Sequence, residues 1–114
     1  MSLGEFPDAG ELESRLTPDE LPRVAFFIAG YLHEDLALEQ GSAAAAAYGY
    51  SAEAELDELE ELAAEWQVVC AAARELPLER LNALLRSRFG SSWQAATARE
   101  FEAVAFELDR ALRE

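Results

Sequence analysis

The chain has 114 residues, half of them hydrophobic, with one cysteine and 23 acidic side chains against 9 basic ones, a formal net charge of −14. That length allows a single domain with a real core and no need of disulfides or a structural metal. The lone Cys70 excludes an internal disulfide, no basic region precedes an apolar run, no stretch approaches a membrane span, and the negative field opposes nucleic acid and anionic membranes.

Valine and isoleucine are scarce: Val24, Val68, Val69, Val104 and Ile28 are all of them. Many of the other apolar residues are alanine. Both facts argue against sheet and for an all-α fold, a compact bundle of about five helices with thin helix-on-helix packing. The charge is unevenly placed. Residues 1–65 hold 16 Asp or Glu against Arg15 and Arg23, whereas residues 66–114 hold 7 acids against 7 Arg.

Residues 1–17 carry Gly4, Pro7 and Gly10 among acids and read as a flexible acidic arm. Leu12 and Leu16, four apart, offer it a short docking turn. Thr17-Pro18-Asp19-Glu20 is a helix-start signal, with Thr17 as cap and Glu20 completing a capping box; Leu21 is the alternative start. Leu21, Val24 or Ala25, Phe27 or Ile28, and Tyr31 or Leu32 then recur at helical spacing. Phe26 and Phe27 are adjacent, so both cannot lie at the centre of one face. A turn near Glu34-Asp35 and an irregular link to Gly41 follow. Ser42 is an N-cap candidate for a helix over Ala43–Tyr48, which Gly49 is expected to stop.

Ala52 to Arg74 is the longest stretch without Gly or Pro, and Ser51 is its expected cap. Leu56, Leu59, Leu62 or Ala63, Trp66, Val69 or Cys70, and Ala73 form an apolar stripe with helical period. Glu53, Glu55, Asp57, Glu58, Glu60, Glu61 and Glu65 lie between, with no basic residue before Arg74. Leu78, Leu81, Leu84 and Leu85 define a shorter helix ended by Phe89-Gly90. Ser91 or Ser92 is expected to cap a last helix holding Trp93, Ala96, Phe101, Val104 or Ala105, Leu108 and Leu112.

Catalysis finds no support in the residues. His33 is the only histidine, and His33-Glu34 lacks the second histidine of a zinc-protease helix, since Ala37 stands there. No Gly-x-Ser-x-Gly elbow or phosphate-cradling glycine loop is present. Cys70 reads as a small buried residue. The expectation is therefore a non-enzyme with no cofactor and no metal. Binding is the remaining class. Pairs such as Glu53–Asp57 and Glu61–Glu65 repel at i,i+4, a cost that a basic partner would turn into attraction and steering. Glu53, Asp57, Glu58, Glu60, Glu61 and Glu65 are the candidate contact residues, with Tyr48 and Tyr50 as aromatic anchors beside them.

The segment Phe26 to Ser42 resembles the small helical immunity proteins of bacterial contact-dependent growth inhibition and related polymorphic-toxin systems. Tyr31, His33, Asp35, Leu38-Glu39 and Gly41-Ser42 carry the likeness. The order of helices afterwards extends it over about residues 20–112. Leu32 stands where an aromatic is usual and Ala37 where aspartate is common, and the link Phe89-Gly90-Ser91-Ser92 is short. The resemblance implies a helical immunity domain over residues 18–114 that binds and neutralises a cognate toxin C-terminal domain in the cytoplasm, as a monomer without catalysis. It also implies that Tyr31, His33, Asp35, Glu39, Gly41 and Ser42 hold the fold, leaving recognition to the acidic surface. An acidic protein suits a basic nuclease groove. The alternative is an acidic adaptor or nucleic-acid mimic for a basic cytosolic protein that is not a toxin; a homodimer is a third reading.

Overall fold

The structure is a computed structural model that describes residues 9–32, 42–91 and 93–113. Among them are six helices and no strand: α1 (Ala9–Arg15), α2 (Pro22–Tyr31), α3 (Ala43–Glu53), α4 (Leu56–Glu75), α5 (Leu78–Phe89) and α6 (Arg99–Arg113). They form one all-α bundle whose Cα radius of gyration is 13.5 Å, the size of a close-packed chain of this length.

The spine is α4. Leu59, Leu62, Trp66, Val69, Cys70 and Ala72 are buried along it, and both α2 and α6 pack against it. Trp66 sits at the centre. Its ring meets Phe27 of α2 edge-on at 5.7 Å and Phe101 of α6 at 6.2 Å, and its Nε1 donates to the Phe101 carbonyl at 2.9 Å. A buried indole N–H needs such a partner, or burying the ring would leave a donor unsatisfied. The stripe departs from expectation at its ends. Leu56, the first residue of α4, is 62 % exposed. At the other end Ala72 rather than Ala73 is the buried alanine.

The alanine helix α3 lies close along α6, burying Ala43, Ala46, Ala47 and Tyr50. Ser42 caps it as expected, accepting from the Ala45 N–H at 3.1 Å. Gly49 does not stop it; the helix runs on to Glu53. Ser51 does not start α4. Its hydroxyl bonds back to the Ala47 carbonyl at 2.8 Å, while Glu55 is the N-cap of α4 and donates its N–H to Glu58 Oε1 at 3.0 Å. The break between the two helices therefore falls at Ala54-Glu55.

Three further segments differ from the sequence reading. Residues 9–16 are not an extended arm: α1 is helical, and Leu12 and Leu16 dock as their i,i+4 spacing suggests, both fully buried. Arg80 pairs with the Glu13 carboxylate at 2.7 Å, and Arg88 donates to the Glu13 carbonyl, placing cations at the C-terminal end of α1 where they are favoured. Thr17 caps only a turn, accepting from the Glu20 N–H at 3.2 Å, and α2 follows the alternative start, with Leu21 as its N-cap and Pro22 in its first turn. The helix after Gly90 begins at Arg99, not at the serines. Gly90 closes α5 in the left-handed conformation (φ 68°), with the Ser91 N–H reaching the Leu85 carbonyl at 3.2 Å. Ser91 then bonds Trp93, and Asn82, buried on α5, takes both backbone groups of Ala95, donating to its carbonyl at 3.0 Å and accepting its N–H at 3.1 Å. Ser92 lies outside the described residues, as do 1–8, His33, Asp35, Glu39 and Gly41.

Candidate partner-binding surface

The N-terminus of α2 has no local side-chain cap, because Leu21 precedes Pro22. Its free N–H groups are satisfied across the bundle. Glu65 Oε1, from the middle of α4, accepts the Arg23 N–H at 2.8 Å and the Val24 N–H at 3.0 Å. The Arg23 side chain folds back along α4, its Nε at 2.7 Å from Glu61 and its guanidinium 3.6 Å from Glu58. The repulsion along α4 is thus relieved by a cation from another helix. Desolvation raises the pKa of Glu65 above the ordinary carboxylate value; the two backbone donors oppose that shift, and neighbouring Glu61 adds to it. The pKa of Arg23 is raised, chiefly by its bond to Glu61.

At the other end of α2, Tyr31 donates its hydroxyl to Glu53 Oε1 at 2.5 Å, joining α2 to the end of α3. The bond and partial burial push the phenol up to about 12. Its ring contacts Phe27 at 5.8 Å and Tyr50 at 5.4 Å. Tyr31 and Ser42, the two motif residues within the described part of the chain, therefore both make contacts that hold helices in place.

The expected aromatic pair is split. Tyr50 is 3 % exposed and packs edge-on against Phe27 at 5.6 Å, so it is core rather than anchor. Tyr48 is 61 % exposed on another face of α3, with the Arg110 guanidinium 5.9 Å from its ring centre. Positions two apart on a helix diverge by about 200°, which is why one tyrosine points in and the other out. Of the carboxylates, Glu65 is spent on capping α2, Glu58 and Glu61 hold Arg23, and Glu53 holds Tyr31. Asp57 and Glu60 are exposed, and Asp57 accepts the Glu58 N–H locally at 2.9 Å.

The aromatic that does stand in the acidic surface is Phe26, 60 % exposed on α2. It lines an open groove of about 530 Å³ with Pro22, Arg23, Glu61, Ala64 and Glu65. It also lines a smaller one of about 180 Å³ with Tyr31, Tyr50, Glu53, Ala54 and Glu58. Its signal in the sequence was the Phe26-Phe27 adjacency, which required one ring to leave the core. Which one left depended on where α4 lies.

Among the described residues no three His, Cys, Asp or Glu side chains gather as a metal-ligand set. Burial pushes the Cys70 thiol up to about 12, and its Sγ donates to the Phe101 carbonyl at 3.5 Å. Among the described residues no helix is long and apolar enough to cross a membrane. No family model matches the chain, and comparisons with curated proteins and with solved structures give no match either.

Proposed function

We propose that this is an immunity protein, a non-catalytic cytoplasmic monomer that neutralises a cognate toxin domain by covering a basic surface. The observation that carries this reading is the face where α2, α3 and α4 meet. There the carboxylates of Glu53, Glu58 and Glu61 surround an exposed aromatic, and Asp57 and Glu60 stand exposed on α4. A hydrophobic anchor ringed by charge is the anatomy of a partner-binding patch. The negative field steers a basic partner and repels nucleic acid, which suits occlusion of a nuclease groove. The Tyr31–Ser42 resemblance supplies the toxin context.

Co-expression with the C-terminal domain encoded by the neighbouring upstream gene tests the proposal. Cells making that domain are expected to survive only with this protein present, and the two are expected to co-purify. Neither protection nor co-purification would remove that domain as the partner. Asp57→Lys with Glu60→Lys is the charge variant of choice, since Glu58 and Glu61 hold Arg23. It is expected to slow association about tenfold at low salt while leaving the fold intact.

A further inference from the structure

Among the described residues four large hydrophobic side chains are exposed: Phe26, Tyr48, Leu56 and Phe106. Single exposed apolar residues are ordinary, so exposure alone assigns nothing. Their surroundings separate them. Tyr48 is already faced by Arg110 of its own chain, and Arg110 is in turn held by Glu107 at 2.7 Å. Phe106, 66 % exposed, lines an open groove of about 540 Å³ whose rim mixes Arg99 with Glu102 and Asp109. Both acids of that rim have an arginine of their own, Glu102 pairing with Arg74 at 3.1 Å and Asp109 with Arg113 at 2.6 Å. Leu56 stands alone at the start of α4. Phe26 differs from all three, because the two grooves it borders carry Glu61 and Glu65 on one side and Glu53 and Glu58 on the other, against the single guanidinium of Arg23.

We infer that Phe26 and its flanking carboxylates form an arginine-reading site, and that the occupant is an arginine-bearing segment of a protein partner. The inference rests on the binding reading above and names the chemistry of its contact. A guanidinium is flat and weakly hydrated, so it stacks on an aromatic face while its edge donates a fork of N–H groups to a carboxylate. Both halves of that demand line the same grooves here, with Pro22, Ala64 and Ala54 giving apolar walls for the arginine stem. The chain displays the same combination internally at Tyr48, Arg110 and Glu107. Lysine meets the charge but not the stacking, so arginine is preferred. Arg23 already tethers Glu58 and Glu61, which lowers the ordering cost of receiving a second cation beside them.

Two arms test this. In the first, the full chain is titrated with hexa-arginine and with hexa-lysine peptides while amide chemical shifts are followed. Hexa-arginine is expected to perturb residues 23–27 and 53–58 first, to bind more tightly than hexa-lysine, and to lose about fivefold in affinity in Phe26→Ser but not in Phe106→Ser. Shifts centred elsewhere, or equal binding by Phe26→Ser and the parent, overturn the site whatever the toxin does. In the second arm the upstream toxin domain is the probe. A loss of about thirtyfold in Phe26→Ser, with Phe106→Ser within threefold, supports Phe26 as its anchor. Full binding by Phe26→Ser overturns the arginine site and leaves the immunity reading standing. If the parent does not bind that domain, the immunity pairing fails and the peptide arm still decides the site.

Discussion

At the scale of one residue, Glu65 shows how a carboxylate counted as surface charge becomes part of the frame. One of its oxygens accepts two N–H groups at the start of α2, a helix that cannot cap itself. Glu65→Ala leaves both donors without that partner and is expected to cost about 1–2 kcal/mol in chemical denaturation. Glu65→Gln keeps an acceptor oxygen and is expected to cost less. The pH dependence has a definite sign. Because the folded-state pKa is raised by desolvation, the native protein binds this proton more readily than the unfolded chain does. Lowering the pH from neutral toward the ordinary carboxylate value of 4.5 therefore adds stability through Glu65, and raising it removes that share. Comparing urea midpoints of parent and Glu65→Gln at pH 7 and pH 5 isolates the contribution. The parent should gain on the variant at the lower pH.

At the scale of elements, what the sequence made legible was whatever depended on local period. The apolar spacing of α2, α4, α5 and α6 places their buried faces, and the Ser42 cap and the Gly90 stop hold as read. Contacts from distant parts of the chain decided the rest. Leu12 and Leu16 are visible as an i,i+4 pair, but not the grip on the end of α1 by Arg80 and Arg88, more than 60 residues away. Gly49 reads as a stop because glycine is a poor helix former, but its penalty is only about 1 kcal/mol, a weak prior that the packing of α3 on α6 overrides. The acidic character of the candidate surface was legible from composition. The identity of the exposed aromatic beside it was not, since Tyr48 and Tyr50 stand nearer in sequence than Phe26 and only the fold sorts them.

Asn82 is the clearest nonlocal element contact. It holds the otherwise irregular segment before α6 by both backbone groups of Ala95, much as a strand neighbour would. Below it, Trp93 packs edge-on against Phe101 at 5.6 Å, and Glu100 receives the Ala96 and Thr97 N–H groups. Asn82→Leu removes two buried hydrogen bonds and strands an N–H and a carbonyl, an expected cost of about 2–4 kcal/mol. Asn82→Asp keeps the acceptor but turns the donor into an oxygen facing the Ala95 carbonyl, and is expected to be at least as damaging. Hydrogen exchange should report the loss first at residues 93–98, ahead of α4, if this clamp governs the segment.

At the scale of the whole molecule, a net charge of −14 on 114 residues makes folding and binding respond to salt in opposite directions. The compact state gathers like charges, so self-repulsion opposes folding and screening relieves it. Salt also weakens the ion pairs Arg23–Glu61, Arg80–Glu13 and Arg74–Glu102. Exposed pairs of this kind are worth about 0–1 kcal/mol each, whereas the repulsion sums over every surplus acid. The field therefore governs. Raising NaCl from about 20 mM to about 300 mM, which shortens the screening length from roughly 20 Å to about 6 Å, is expected to stabilise the fold by about 1 kcal/mol. Association with a basic partner is expected to slow over the same range, because steering is what the salt removes. Asp57→Lys with Glu60→Lys lowers the surplus by four charges without touching an interhelical bond, so it should flatten both responses together. A variant set in which the folding response flattens while the association response does not would place the partner on a face other than α4.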